Sequence, residues 1–68
     1  MKHGDLRVVV DRGDIIVTQP DSDFVAVYFK PRGMPYIVAK DTPVGTHDFR
    51  GRAWQTAIAK ARQLGWIV

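Results

Sequence analysis

The sequence predicts an α+β domain: a four-stranded antiparallel meander with one C-terminal helix packed on one face. Three observations carry this. The last third, Thr46 to Gly65, repeats its apolar residues at helical spacing. Everything before it falls into short β-branched and aromatic runs separated by Asp, Gly and Pro. The connections between those runs are two to five residues long, too short for parallel crossovers.

The first strand is predicted over residues 6–10, where Leu6-Arg7-Val8-Val9-Val10 is short and β-branched. Asp11-Arg12-Gly13-Asp14 is a tight-turn signal, with Gly13 free to take positive φ. Ile15-Ile16-Val17-Thr18 pairs back as a second strand over 15–18. Gln19 to Asp23 is a loop with one Pro and two Asp. The third strand, residues 24–30, is the longest and most aromatic. Pro31 to Pro35 breaks it, residues 36–40 form a fourth strand, and Asp41 to Gly45 is a loop marked by Pro43. The alternative is a three-stranded sheet with 36–40 irregular. In the third strand Val25, Val27 and Phe29 lie on one side, and Phe24, Ala26, Tyr28 and Lys30 on the other. Both sides are mostly apolar, so alternation does not say which one the helix covers.

The helix is predicted over about 47–64. On a 100° wheel Phe49, Ala53, Trp54, Ala57, Ile58, Ala61 and Leu64 share one half, while Arg52, Gln55, Thr56, Arg62 and Gln63 share the other. Phe49, Trp54, Ala57, Ile58 and Leu64 are the expected buried set. Thr46 is the expected N-cap, with Asp48 suited to the positive end of the helix. Gly65 is the expected left-handed cap, which places Trp66 and Ala61 at the hydrophobic contact of a Schellman ending.

Composition sets further bounds. Sixty-eight residues allow a single domain, 1–68, with one modest core. The absence of Cys excludes disulfides and thiolate metal sites, and His3 and His47 are too few for a zinc site. No cofactor is expected. No apolar run approaches the length of a membrane span, so no membrane partner is expected. The polar opening from Met1 to Asp5 shows no signal peptide, which makes a cytoplasmic location the expectation.

Charge is unevenly spread. Residues 1–29 carry Lys2, Arg7 and Arg12 against five Asp, a net of −2, whereas residues 30–68 carry seven basic groups against two Asp, a net of +5. Most of the Asp residues belong to turns, which their side chains stabilise by bonding nearby amides. The basic half offers two candidate anion-binding features. His47, Arg50 and Arg52 stand in the first turns of the helix, where free N–H groups favour an anion and Gly51 allows close approach. Lys30 and Arg32 stand on a Gly/Pro-rich tip shaped to contact a phosphate backbone, and Arg62 extends the basic surface. The plainer reading is that these are solvated cations. A third feature is the ending Trp66-Ile67-Val68, which either folds over the core edge or joins a partner.

No catalytic motif is present. The lone Ser22 lies in a turn, His47 and Asp48 are adjacent on a helix and do not face each other, and the Asp spacing lacks a calcium-loop pattern. The chain is therefore expected not to be an enzyme.

The stretches Gly13-Asp14-Ile15-Ile16-Val17-Thr18 and Ala53-Trp54 through Lys60-Ala61-Arg62-Gln63-Leu64-Gly65-Trp66-Ile67-Val68 resemble a family of short, uncharacterised bacterial proteins of unknown function. The resemblance covers most of the chain and implies no site. In architecture alone, a small sheet with a C-terminal helix is similar to the DNA-binding domains of some integrases and plant transcription factors. Their arginine and tryptophan strand motifs are absent here, where the strand faces carry Val, Ile, Tyr and Phe. Two functions follow as expectations. One is a non-catalytic nucleic-acid-binding module acting on the phosphate backbone through Lys30, Arg32, His47, Arg50, Arg52 and Arg62. The other is a protein-interaction or homodimerisation module using the spare sheet face and the Trp66-Ile67-Val68 tail.

Overall fold

Four strands and one helix follow one another in a computed structural model that describes residues 6–68; the polar opening, residues 1–5 with His3, lies outside the described residues. The elements are β1 (Arg7–Asp11), β2 (Asp14–Thr18), β3 (Val25–Phe29), β4 (Val38–Ala39) and α1 (His47–Gln63). The strands form one antiparallel sheet in the order β1-β2-β3-β4. This is the expected α+β meander.

The β1–β2 turn has two central residues, Arg12 at φ 53° and Gly13 at φ 84°. Both are left-handed, as a type I′ turn requires. The expectation named only Gly13. Arg12 shares the strain because a two-residue loop that matches the twist of the strands needs positive φ at both positions. The β2–β3 loop is knotted by Ser22, whose Oγ donates to the Gln19 carbonyl at 3.0 Å and accepts from the Phe24 amide at 3.1 Å.

The fourth strand is shorter than the expected 36–40. Only Val38 and Ala39 pair in register, with Phe29 and Tyr28, and the Lys40 amide then donates to the Val27 carbonyl at 2.8 Å. Val44 pairs with Val25 through two backbone bonds, so residues 41–43 loop out between the two contacts. Pro43 has no N–H to offer the ladder, which accounts for the break. Upstream, Tyr36 is exposed while Ile37 is buried in the core.

Helix α1 begins where the sequence places it. Thr46 Oγ1 accepts from the Phe49 amide at 3.1 Å. It ends on Leu64, followed by Gly65 at φ 79°. The Trp66 amide donates to the Ala61 carbonyl at 2.9 Å and the Gly65 amide to the Arg62 carbonyl at 3.0 Å, which completes the Schellman ending. The helix lies chiefly on β2. Its buried stripe is Phe49, Ala53, Ala57 and Ala61, set against Ile15, Val17, Ala26, Tyr28 and Ile37.

Three expected core residues are not in that stripe: Trp54 and Leu64, each 40% exposed, and Ile58, which is partly buried. The small alanines let the backbone approach the sheet, so the contact line runs through them. Trp54 then falls on the flank, its ring 5.5 Å from that of Tyr28. Leu64 is the cap residue, where the chain already turns away. Trp66 and Ile67 fold back and pack on the core beside it.

Candidate interaction surface and the placement of the basic residues

The helix settles the question of sheet faces. Ile15, Val17, Ala26 and Tyr28 lie beneath α1. Alternation along each strand therefore turns Val9, Ile16, Val25, Val27, Phe29 and Val38 to the other side. Register aligns Val9, Ile16 and Val27 in one row across three strands, with Val25 on one side of the row and the Phe29–Val38 pair on the other. Among the described residues no helix covers this face. Val9 is 47% exposed, while the others shield one another to intermediate burial. Sequence alternation missed the assignment because the strand at 24–30 is apolar on both sides; only the position of the alanine stripe decides it.

Polar groups of β1 and β2 flank the row on both sides. On one side Arg7 stands opposite Thr18. On the other, Asp11 stands opposite Asp14, a like-charge pairing forced by the tight turn. Asp14 is relieved by Lys40, whose Nζ donates to its Oδ2 at 2.9 Å. That hydrogen bond, helped by the charge of Asp14, raises the Lys40 amine above its usual pKa. Arg7 and Asp11 have no ion-pair partner among the described residues.

The two ends of the sheet also differ as edges. β1 is a regular five-residue edge strand, exposed at every position but Val8. β4 is two residues long and runs into Lys40 and the 41–43 loop, which blunts it.

The predicted cations are distributed over the molecule. Arg52 Nε donates to Asp48 Oδ2 at 3.0 Å, and its Nη2 donates to Gln19 Oε1 at 3.1 Å. Arg50 Nη2 donates to the Pro43 carbonyl at 3.2 Å. His47 is exposed beside them in the first turn, on a shallow groove that also takes in Leu6 and Gly51. Arg62 is exposed in the last turn, twelve residues beyond Arg50, a separation of about 18 Å along the axis. Lys30 belongs to that far end, in a shallow depression with Gly13, Gly65 and Trp66, and Arg32 is exposed on the neighbouring tip. The structure thus places His47, Arg50 and Arg52 in the first turns of the helix, with Arg50 and Arg52 turned to different sides of it, and Lys30 and Arg62 towards the other end.

The apolar tail is mostly folded back: Trp66 and Ile67 pack on the core and Val68 is fully exposed. Among the described residues there is no group of three His, Asp or Glu arranged to hold a metal ion, and no helix long and apolar enough to cross a membrane. Compared with models of known protein families, with curated proteins and with solved structures, the chain finds no match.

Proposed function

We propose that the chain is a small non-catalytic homodimerisation module whose contact lies on its sheet. The observation that carries this reading is the open edge of the sheet at β1, where its bare apolar side ends. An apolar row, Val9-Ile16-Val27, runs out to β1, which pairs with β2 on one edge and with no segment among the described residues on the other. A regular, exposed edge strand is a ready template for pairing with another chain. A chain this short also gains from a partner, because its own core is small. The cations give weaker support to phosphate binding. The two arginines at the helix start already bond within the chain, while Lys30 and Arg62 lie toward the opposite end and Arg32 on a loop tip. Backbone recognition of nucleic acid draws on several cations at once.

Sedimentation equilibrium from about 10 µM to about 1 mM is the direct test, because a small interface gives a concentration-dependent dimer. The expected result is a mass rising from the 7.7 kDa of one chain toward twice that value. A chain that stays monomeric throughout, yet binds a labelled duplex or single strand at about 50 mM salt, would instead favour the nucleic-acid module.

A further inference from the structure

The geometry points to one mode of self-association: two copies of the chain join edge to edge through β1, antiparallel, about a two-fold axis at Val9. This rests on the homodimer reading and specifies its interface. Three independent features of β1 select the register.

The first is hydrogen-bond parity. A two-residue hairpin is closed by a hydrogen-bonded pair, here Asp11 and Asp14. Pairs alternate along an antiparallel ladder, so Arg7, Val9 and Asp11 direct their N–H and C=O toward β2. Val8 and Val10 direct theirs to the open edge. A second β1 can bond this edge only by presenting its own Val8 and Val10. Centring the two strands on Val9 sets Val8 against the second copy's Val10 and Val10 against its Val8. Four N–H···O=C bonds form and no ladder group is left over.

The second feature is charge. The same register places Arg7 opposite the second copy's Asp11, and Asp11 opposite its Arg7. These are the two charged residues of the strand, and neither has an ion-pair partner among the described residues. Asp11 moreover faces Asp14 within its own chain. Sliding by two residues either way would set Arg7 or Asp11 against Val9 and lose both Arg7–Asp11 pairs. Sliding by one would break the parity. The strand Arg-Val-Val-Val-Asp is self-complementary in one antiparallel alignment only.

The third feature is burial. Val10 belongs to the helix-covered face, beside Ile15, yet is 37% exposed because it lies beyond the reach of α1. In the dimer Val8 of the second copy covers it, and the inner apolar layer becomes continuous across the axis. β1 also lacks the Pro, Lys or bulge that ordinarily keeps an edge from pairing.

The chain has no Cys, so a single Val9→Cys variant can form a disulfide only between copies. Directly opposed residues of a non-hydrogen-bonded pair lie about 4.5 Å apart at Cα, within disulfide reach. Mild oxidation should therefore convert Val9→Cys to a covalent dimer, whereas Val27→Cys on the outer face should stay monomeric under the same treatment. Val10→Pro removes an edge-facing N–H without touching the bonds to β2. It should abolish the dimer while leaving the monomer's circular dichroism and melt in place. Arg7→Asp or Asp11→Arg alone should weaken association about tenfold or more, and the two together should restore it. These two side chains are exposed, so folding is not at stake. Dimerisation that survives Val10→Pro, or that cross-links through Val27→Cys and not Val9→Cys, overturns the edge register and leaves self-association standing through the outer face. A wild-type chain that is monomeric at every concentration overturns both.

Discussion

Gly45 sits hard against the Phe49 ring: a Cβ at position 45 would lie 2.5 Å from Phe49 Cδ2 and 3.1 Å from Phe24 Cγ. Phe49 is fully buried and its ring is tilted against that of Phe24 at 5.3 Å, so the Phe49 ring has no free space to withdraw into. The backbone of the loop before α1 is thereby pressed onto the first buried side chain of the helix. Gly45→Ala is expected to destabilise by about 2–3 kcal/mol, through overpacking and a backbone conformation at φ 147° that an L side chain resists. Urea unfolding checks this, and an unchanged midpoint would show that the loop can move away.

Phe49 and Trp54 should differ in a way their sizes do not suggest. Phe49→Ala empties a sealed site and should cost about 3–5 kcal/mol. Trp54 is a flank residue lying on Tyr28, and Trp54→Ala should cost about 1–2 kcal/mol, mostly lost ring contact and partial burial. Parallel denaturant melts of the two variants decide the order.

The same replacement should act with opposite sign at two glycines of the helix. Gly51 is an exposed interior position with open space where an alanine methyl would stand, so Gly51→Ala should stabilise by about 0.5–1 kcal/mol. Gly65 holds the left-handed cap, and Gly65→Ala should destabilise by about 1 kcal/mol. Thermal melts of both, read as shifts of opposite direction, test the cap assignment.

Alkaline pH should loosen the fold. Burial raises the Tyr28 phenol above its usual value, and the Asp14 hydrogen bond and charge raise the Lys40 amine. A folded pKa above the unfolded one means that the unfolded chain gives up its proton first. Each contribution is therefore whole below the unfolded value, about 10 for both groups, and is lost as pH rises through the folded value. Stability should be flat in this respect at neutral pH and fall above about pH 10. Tyr28→Phe and Lys40→Met should each make the fall shallower, which denaturant titrations at a series of alkaline pH values would reveal.

Much of the architecture is legible in the residues themselves. Thr46, Gly65 and the helical period mark α1 because capping and amphipathicity are local properties of the chain. Asp11 to Asp14 marks the hairpin because few residues accept its backbone angles. What stayed hidden depends on neighbours. A helical wheel shows that Trp54 lies on the apolar half, but not that three alanines draw the contact line past it. Apolar residues on both sides of the third strand gave no hint of which side faces α1. The short β4 reflects where β3 offers carbonyls to pair with, and residues 36–40 alone carry no record of that. The basic residues could be counted in advance, but their separation along α1, and the engagement of Arg50 and Arg52 by the 43 and 19 positions, arises only from tertiary placement.

The order of strands across the sheet equals their order along the chain, and this shapes how the protein comes into being. Each strand needs only the one made just before it, so the meander closes short loops and should assemble quickly. The helix follows all four strands, yet it supplies most of the cover of the inner face. A meander that forms before α1 docks has both of its sides bare, so the docking of residues 47–63 ends the interval in which the folding chain is most prone to stick to its neighbours.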